Sequence, residues 1–371
     1  MQKIITPSLL LDADRVQKNA ARMSEKAQAN NVRLRPHVKT HKCSEVARIQ
    51  TAGHNGAITV STLAEAAGFA RDGFADITYA IPFEIGKADA AIEILRTGAK
   101  LNLLTDDAET MRLLNDAAGQ AGVKFDVFVK IDCGYHRVGV EPHTPEAVEI
   151  PRFLSDVKNL SFAGILTHAG HSYDVKTREE ILALARHERD SMIELAGRLR
   201  DMSIEVPTVS IGSTPTMTAV DHLEGIDEIR PGNYIFFDAF QATLGSCSFE
   251  DTALTVLSAV VHRDLSRNKL VIDAGAVALS KDRGPIGLDP GCGYGRVLDI
   301  AGNETGMRVT GMSQEHGVIV SDDAAMIGRF KVGDRLRVLA NHSCLTAAQH
   351  SHFNVVEDGR IVDRWEIHRG W

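Results

Sequence analysis

Three shortages narrow the reading of this chain: few cysteines, no excess of positive charge and no long apolar run. The five cysteines are odd in number and irregularly spaced across 371 residues, which excludes a disulfide framework and makes a reducing cytoplasm the expected location. The sequon-like triplets "NLS", "NET" and "NHS" then carry no weight. A formal net charge of -8 excludes generic attraction to nucleic acid or to an anionic membrane, because either partner needs a summed positive field. No stretch approaches the roughly 20 apolar residues of a spanning helix. "MQKIITPSLLLDAD" is no export signal either, with one Lys and a very short apolar run before two Asp. The expected partner is therefore a small molecule.

What is present is a rhythm. "VRLRPHVK" (32–39), "GAITVST" (56–62), "ITYAIP" (77–82), "KLNLLT" (100–105), "FDVFVKID" (125–132), "SFAGILTHAG" (161–170), "TVSIGS" (208–213) and "IDEIRPGNYIFF" (226–237) are β-branched or apolar runs bounded by Gly, Asp or Pro. Helix-like stretches lie between them: Val16, Ala20, Met23 and Ala27 recur at helical spacing, and Leu184, Met192, Leu195 and Leu199 do so less regularly. Alternating strands and helices predict an α/β fold, a (β/α)8 TIM barrel over residues 12–244, with its chemistry at the C-terminal strand ends. From 245 to 371 the strands are separated by short Gly, Asp and Asn turns, and "EDGR" reads as a hairpin. This predicts an all-β domain joined by residues 1–11 as an extra strand.

The stretch "RLRPHVKTHK" packs six basic or potentially basic side chains into ten positions of an acidic chain. Alternation along a strand 32–39 places Arg33, Arg35, His37 and Lys39 on one face, with Lys39 at the C-terminal end. "SIGSTPT" (210–216) ends the seventh strand and "RPGNY" (230–234) falls in the eighth, where barrels bind phosphate. Taken alone, "GSTPT" reads better as a helix N-cap followed by Pro in the first turn. A lysine and a phosphate cradle on one rim suggest pyridoxal phosphate, with the lysine holding the aldehyde and the Gly-Ser-Thr turn, including Ser213, holding the phosphate.

The motifs "RPHVKTHK", "GYHRVGV", "LTHAGHSY", "GSTPT", "RPGNY", "VIDAGAVALSKDRG", "SQEHG" and "ANHSC" run in order along nearly the whole chain. Together they resemble the D-serine dehydratase and D-threonine aldolase group, metal-activated fold-type III pyridoxal phosphate enzymes related to alanine racemase. The resemblance implies a homodimer with a barrel and a β domain. It implies that Lys39 is the Schiff-base lysine, that Arg137 lies near the cofactor's phenolic oxygen and that His168 lies against its ring. It also places Tyr173, Thr214, Gly232 and Asn233 at cofactor-binding positions.

His342 and Cys344 in "NHSC", two apart on an expected strand ending, would face the same way and share an ion; a buried His beside a buried Cys is the plainer reading. Thiolate plus imidazole favours zinc over manganese or magnesium, and two protein ligands leave positions for water and substrate. His350 and His352 have the same spacing and rank second. The H-x-C form, with "GSTPT" and "SQEHG", resembles the dehydratase branch, whereas aldolases tend to carry Asp in place of the Cys. "GCGYGR" (291–296) lacks dinucleotide-binding spacing, and Cys43, Cys133, Cys247 and Cys292 read as packing residues.

The expected reaction removes water from a D-β-hydroxy amino acid such as D-serine or 3-hydroxy-D-aspartate, leaving a 2-oxo acid and ammonia. Lys39 serves as anchor and base, its amine tuned by Arg35, His37 and the cofactor. The competing expectation is retro-aldol cleavage to glycine and an aldehyde.

Overall fold

The computed structural model describes residues 4–371, which divide into two compact units. One comprises the chain up to Ala21, Thr40–Val46 and Asn233–Ile367; the other comprises Arg22–Lys39, Ala47–Gly232 and His368–Trp371.

The second unit carries an eight-stranded parallel sheet. Its strands are Arg33–Leu34, Ile58–Val60, Asp76–Pro82, Lys100–Thr105, Phe125–Lys130, Leu160–Leu166, Val209–Ile211 and Glu228–Ile229. Each falls within or overlaps one of the eight expected runs. The first strand pairs with the last, and a parallel bridge between His37 and Thr59, with Thr59 N–H donating to Pro36 O at 2.9 Å, joins it to the second. The sheet therefore closes as a barrel. The helical spacing also holds: Val16, Ala20, Met23 and Ala27 are all buried on helix Ala13–Ala29, and Met192, Leu195 and Leu199 on helix Arg178–Asp201.

The expected first strand is shorter than its apolar pattern implied, ending at Leu34. The Arg35 guanidinium that follows is buried, donating through Nε to Glu228 Oε2 (2.7 Å) and through Nη1 and Nη2 to Asp76 (2.8 and 2.9 Å). Arg33 Nε also reaches Glu228 Oε2 at 2.7 Å, and Ser210 Oγ donates to Glu228 Oε1 at 2.8 Å. Burial opposes ionisation of Glu228, yet the Arg35 and Arg33 charges hold its carboxyl below the ordinary range. This lattice lies at the strand starts and borders a cavity of about 230 Å³, also lined by Lys100, Asp126 and Phe162. Lys100 pairs with Asp126 at 2.8 Å. These charges pair with one another, and the arrangement holds the barrel together. Removing one partner of a buried ion pair strands the other, so Glu228→Ala is expected to lower unfolding free energy by about 3–5 kcal/mol in urea titration.

The first unit carries a ten-stranded sheet. Strand Ser8–Asp12 runs parallel to His352–Glu357 and antiparallel to Leu254–Asp264, burying Leu9, Leu10 and Leu11. The hairpin at "EDGR" forms around Asp358 and Gly359, whose φ values of 47° and 71° suit a tight two-residue turn. The helices between these strands are short: Ala239–Leu244, Ala276–Leu279, Ala324–Gly328 and Ser343–Ala347. Among the described residues no helix is long and apolar enough to cross a membrane.

Candidate active site

Lys39 stands exposed in a 3-10 turn, Val38–Thr40, that follows the first barrel strand. Its backbone N–H points at His37 Nδ1 (3.5 Å). His168 lies two residues past strand Leu160–Leu166, and its Nδ1–H donates to Gly212 O at 3.3 Å. A carbonyl only accepts, so in the neutral ring this bond fixes the proton on Nδ1. Burial, then the charges of Lys39, Lys130, Arg230 and Arg137, hold His168 well below the ordinary histidine pKa. His37 is held down in the same way, by burial, Lys39, Arg230 and His168. Lys39, His168 and Arg137 thus belong to one electrostatically coupled set.

That set also includes His37, which the sequence placed on one face with Lys39, and two members the sequence did not mark. Lys130 closes strand Phe125–Lys130, is buried, and is pushed down to about 8 by burial and then Arg230; its Nζ donates to Ile131 O at 3.1 Å. Arg230 is buried, with Nε donating to Ser210 Oγ at 2.8 Å and Nη2 to Thr167 O. The one available signal was a charged residue closing an apolar strand in "FVKID", and burial there depends on partners distant in sequence. Of the two groups expected to tune Lys39, Arg35 is ion-paired with Glu228 and Asp76, and His37 is held well below the ordinary histidine pKa by burial and then by the Lys39 charge.

Arg137 lies in the loop after strand Phe125–Lys130, its guanidinium 4.9 Å from the Tyr135 ring centre. Asp132 Oδ1 shapes that loop by accepting from the N–H groups of Gly134, Tyr135 and His136 at 2.9, 2.9 and 3.0 Å. Tyr173 ends the 3-10 turn Gly170–Tyr173. Ser213 caps helix Thr214–Ala219: its Oγ accepts from Thr216 N and its N–H donates to Thr216 Oγ1. The N-cap reading of "GSTPT" therefore holds, and Thr214 is the first helical residue. Gly212, at φ 119°, has no room for a Cβ, which would stand 3.1 Å from Met217 Cγ and 3.2 Å from Arg230 N.

Gly232 and Asn233 follow the last barrel strand and fall in different units. In the first unit Asn233 Nδ2 donates to Asp238 Oδ2 (2.7 Å), Ser343 Oγ (3.1 Å) and Cys344 Sγ (3.5 Å). Asn233 thus contacts the candidate metal pair. His342 and Cys344 do not lie on a strand, which corrects the expected geometry. Strand Arg335–Leu339 has already ended, and His342 precedes helix Ser343–Ala347. The Asp238 carboxylate accepts from Ser343 N and Oγ at 2.9 and 3.2 Å, drawing the chain into a helical turn. The two side chains still meet, since His342 hydrogen-bonds Cys344. Burial opposes a charged His342, but the Asp282 hydrogen bond and Cys344 raise its pKa well above the ordinary value. Cys344 Sγ also donates to Thr40 Oγ1 at 3.3 Å. Among the described residues no group of three or more His, Cys, Asp or Glu converges on one point. His350 Nε2 is taken up by Ala278 O at 3.0 Å, and His352 bonds Ser351.

The alanine racemase N-terminal domain family matches residues 11–239, and a serine dehydratase domain matches residues 253–356. D-threo-3-hydroxyaspartate dehydratase of Delftia sp. is 39% identical over 372 residues, 99% of this chain and 98% of that protein. Its solved structure superposes with a TM-score of 0.96 at 38% identity, covering 100% of this chain and 99% of that one. D-serine dehydratase of Dictyostelium discoideum is 34% identical over 391 residues, 99% of this chain and 97% of the relative. The structure of D-threonine aldolase from Filomicrobium marinum is more distant: TM-score 0.86, 28% identity, 99% and 96% coverage. The chain belongs to the D-serine dehydratase and D-threonine aldolase group of alanine-racemase-like enzymes, within its dehydratase branch.

Proposed function

We propose that this chain is a pyridoxal-phosphate- and zinc-dependent dehydratase of D-β-hydroxy amino acids. It converts D-serine or 3-hydroxy-D-aspartate to a 2-oxo acid and ammonia. One observation carries the reading: an imidazole and a thiol side by side, His342 and Cys344, with Cys344 hydrogen-bonded to Thr40, the residue that follows Lys39 in the chain. The full-length similarity to two dehydratases supports it. By analogy with the group, the enzyme is proposed to be a cytoplasmic homodimer.

The residues fit both groups. Lys39, Lys130, Arg230 and Arg137 are cations clustered at barrel strand ends, the local field an anionic phosphate cofactor needs. Ser213 has its N–H and hydroxyl engaged in the cap, so its part is to shape the turn that brings Thr214 to the phosphate. For the metal, sulfur plus imidazole nitrogen is a zinc-type donor set, and manganese or magnesium is the alternative. Asn233 Oδ1 is buried with no hydrogen-bond partner and belongs to the residue whose amide nitrogen touches Cys344, an unmet polar atom at the candidate metal pair.

When bound, the cofactor supplies an electron sink for the α-carbanion, and zinc supplies Lewis-acid polarisation of the β-hydroxyl. The protein's own part is to hold and move protons. Lys39 Nζ anchors the cofactor and takes the α-proton. His168, kept neutral with its proton on Nδ1, would add no charge beside the cofactor it is proposed to hold. The Thr40 hydroxyl can rotate to donate to Cys344 once the thiol is ionised. Loss of water and then hydrolysis of the C–N bond give the products with no net water consumed.

A panel of D- and L-β-hydroxy amino acids tests the reading. Ammonia release from D isomers alone is the expected result; release from L isomers, or from none, contradicts it.

A further inference from the structure

Asp282 belongs to none of the roles assigned so far, yet its carboxylate is the group most firmly attached to the candidate metal pair. It lies in the loop after helix Ala276–Leu279, and His342 Nδ1–H donates to its Oδ2 at 2.6 Å. The carboxylate is itself immobilised. Oδ1 accepts from Gly284 N at 2.8 Å, the Asp282 N–H donates to Ser280 Oγ at 3.2 Å, and Asn341 Nδ2 reaches the Asp282 carbonyl at 3.4 Å. Both side chains are about two-thirds buried, with 29% and 31% of His342 and Asp282 exposed.

The consequence concerns which nitrogen of His342 faces an ion. With Nδ1–H committed to a fixed carboxylate, Nε2 is the nitrogen left to offer a lone pair to an ion once its own proton has left, and the ring cannot turn over without breaking a short charged hydrogen bond. A histidine that ligates a metal through one nitrogen and donates the other N–H to a carboxylate is more basic and better oriented than a free one. Each oxygen of Asp282 already accepts one N–H, so the carboxylate is not placed as a third ligand. Resting on the proposed metal site, we infer that Asp282 is a positioning residue: it presents His342 to the ion through Nε2 and sets the site's affinity without touching the metal.

Cobalt(II) is the probe, because a thiolate–cobalt site absorbs in the near ultraviolet and its d–d bands report coordination number. The purified full chain is titrated with cobalt in competition with a chelating dye. In the unaltered protein the thiolate band is expected, and Cys344→Ala should remove it. Asp282→Ala should weaken cobalt binding roughly 10–100-fold, with the thiolate band and the d–d pattern unchanged at saturation. Asp282→Asn, whose amide oxygen can still accept from Nδ1–H, should fall between the two and guards against a folding defect in the alanine variant. Unaltered affinity in a folded Asp282→Ala protein overturns the positioning role while leaving the metal site intact. A changed d–d pattern at saturation makes Asp282 a ligand and also overturns it. Absence of the thiolate band in the unaltered protein fails the metal site itself, and the inference with it.

Discussion

Lys39→Ala is expected to leave a folded protein that no longer turns over D-β-hydroxy amino acids. The loss should be at least about 10³–10⁴-fold, the scale of a removed general base, because the same amine anchors the cofactor. Its position supports this: Lys39 is exposed in the turn after the first barrel strand, whereas Lys130 and Arg230 of the same set are buried. The visible absorbance of the lysine-bound cofactor should vanish in the variant. Borohydride reduction of the unaltered protein followed by peptide mapping should place the adduct on Lys39. Two other lysines give the test its force. Lys42 lies three residues on, and Lys130 is buried with its pKa pushed down to about 8, which makes it the better nucleophile of the two. An adduct on either one, or a visible band that survives Lys39→Ala, would transfer the role.

Chelation is expected to have the second largest effect, and to act on chemistry rather than on folding. His342 and Cys344 lie in a unit whose ten-stranded sheet buries clusters such as Leu10, Leu257 and Val356 without help from an ion. Two protein ligands are also fewer than the closed sites that stabilise small domains use. Removing zinc should therefore lower turnover by roughly two orders of magnitude or more, since Lewis-acid polarisation is worth several kcal/mol. The visible absorbance and the thermal transition should stay nearly constant, and added zinc should restore the rate. Cys344→Ala should match the chelated enzyme, because it halves the protein's ligand set. Cys344→Asp should favour manganese or magnesium over zinc. Unfolding on chelation, or normal metal-free turnover by Cys344→Ala, would make the pair structural.

The barrel was legible because its strands are short apolar runs punctuated by Gly, Asp and Pro, and because Val16, Ala20, Met23 and Ala27 keep helical spacing. Alternation at the first strand put Arg33 and Arg35 on one face, and both do reach Glu228; what it could not report is that this partner, almost 200 positions on, ties them into an ion lattice. The metal pair failed in the same way: the i, i+2 spacing of His342 and Cys344 was read as a strand, and Asp238, over 100 residues earlier, turns it into a helix start. Local pattern cannot report a partner so distant in sequence. For the same reason Lys130, Arg230 and Asp282 went unmarked. The roles expected of Arg137, His168 and Tyr173 came from the family resemblance alone, since no spacing rule singles them out.

The account's central claim is a choice between two bonds of one substrate, and 3-hydroxy-D-aspartate offers both. Proton NMR of a single reaction, run with cofactor and zinc present, counts the products of each cleavage together. Breaking Cβ–O yields oxaloacetate and ammonia; breaking Cα–Cβ yields glycine and glyoxylate. The account predicts oxaloacetate with little or no glycine. Glycine and glyoxylate as the main products would contradict it and make the chain an aldolase.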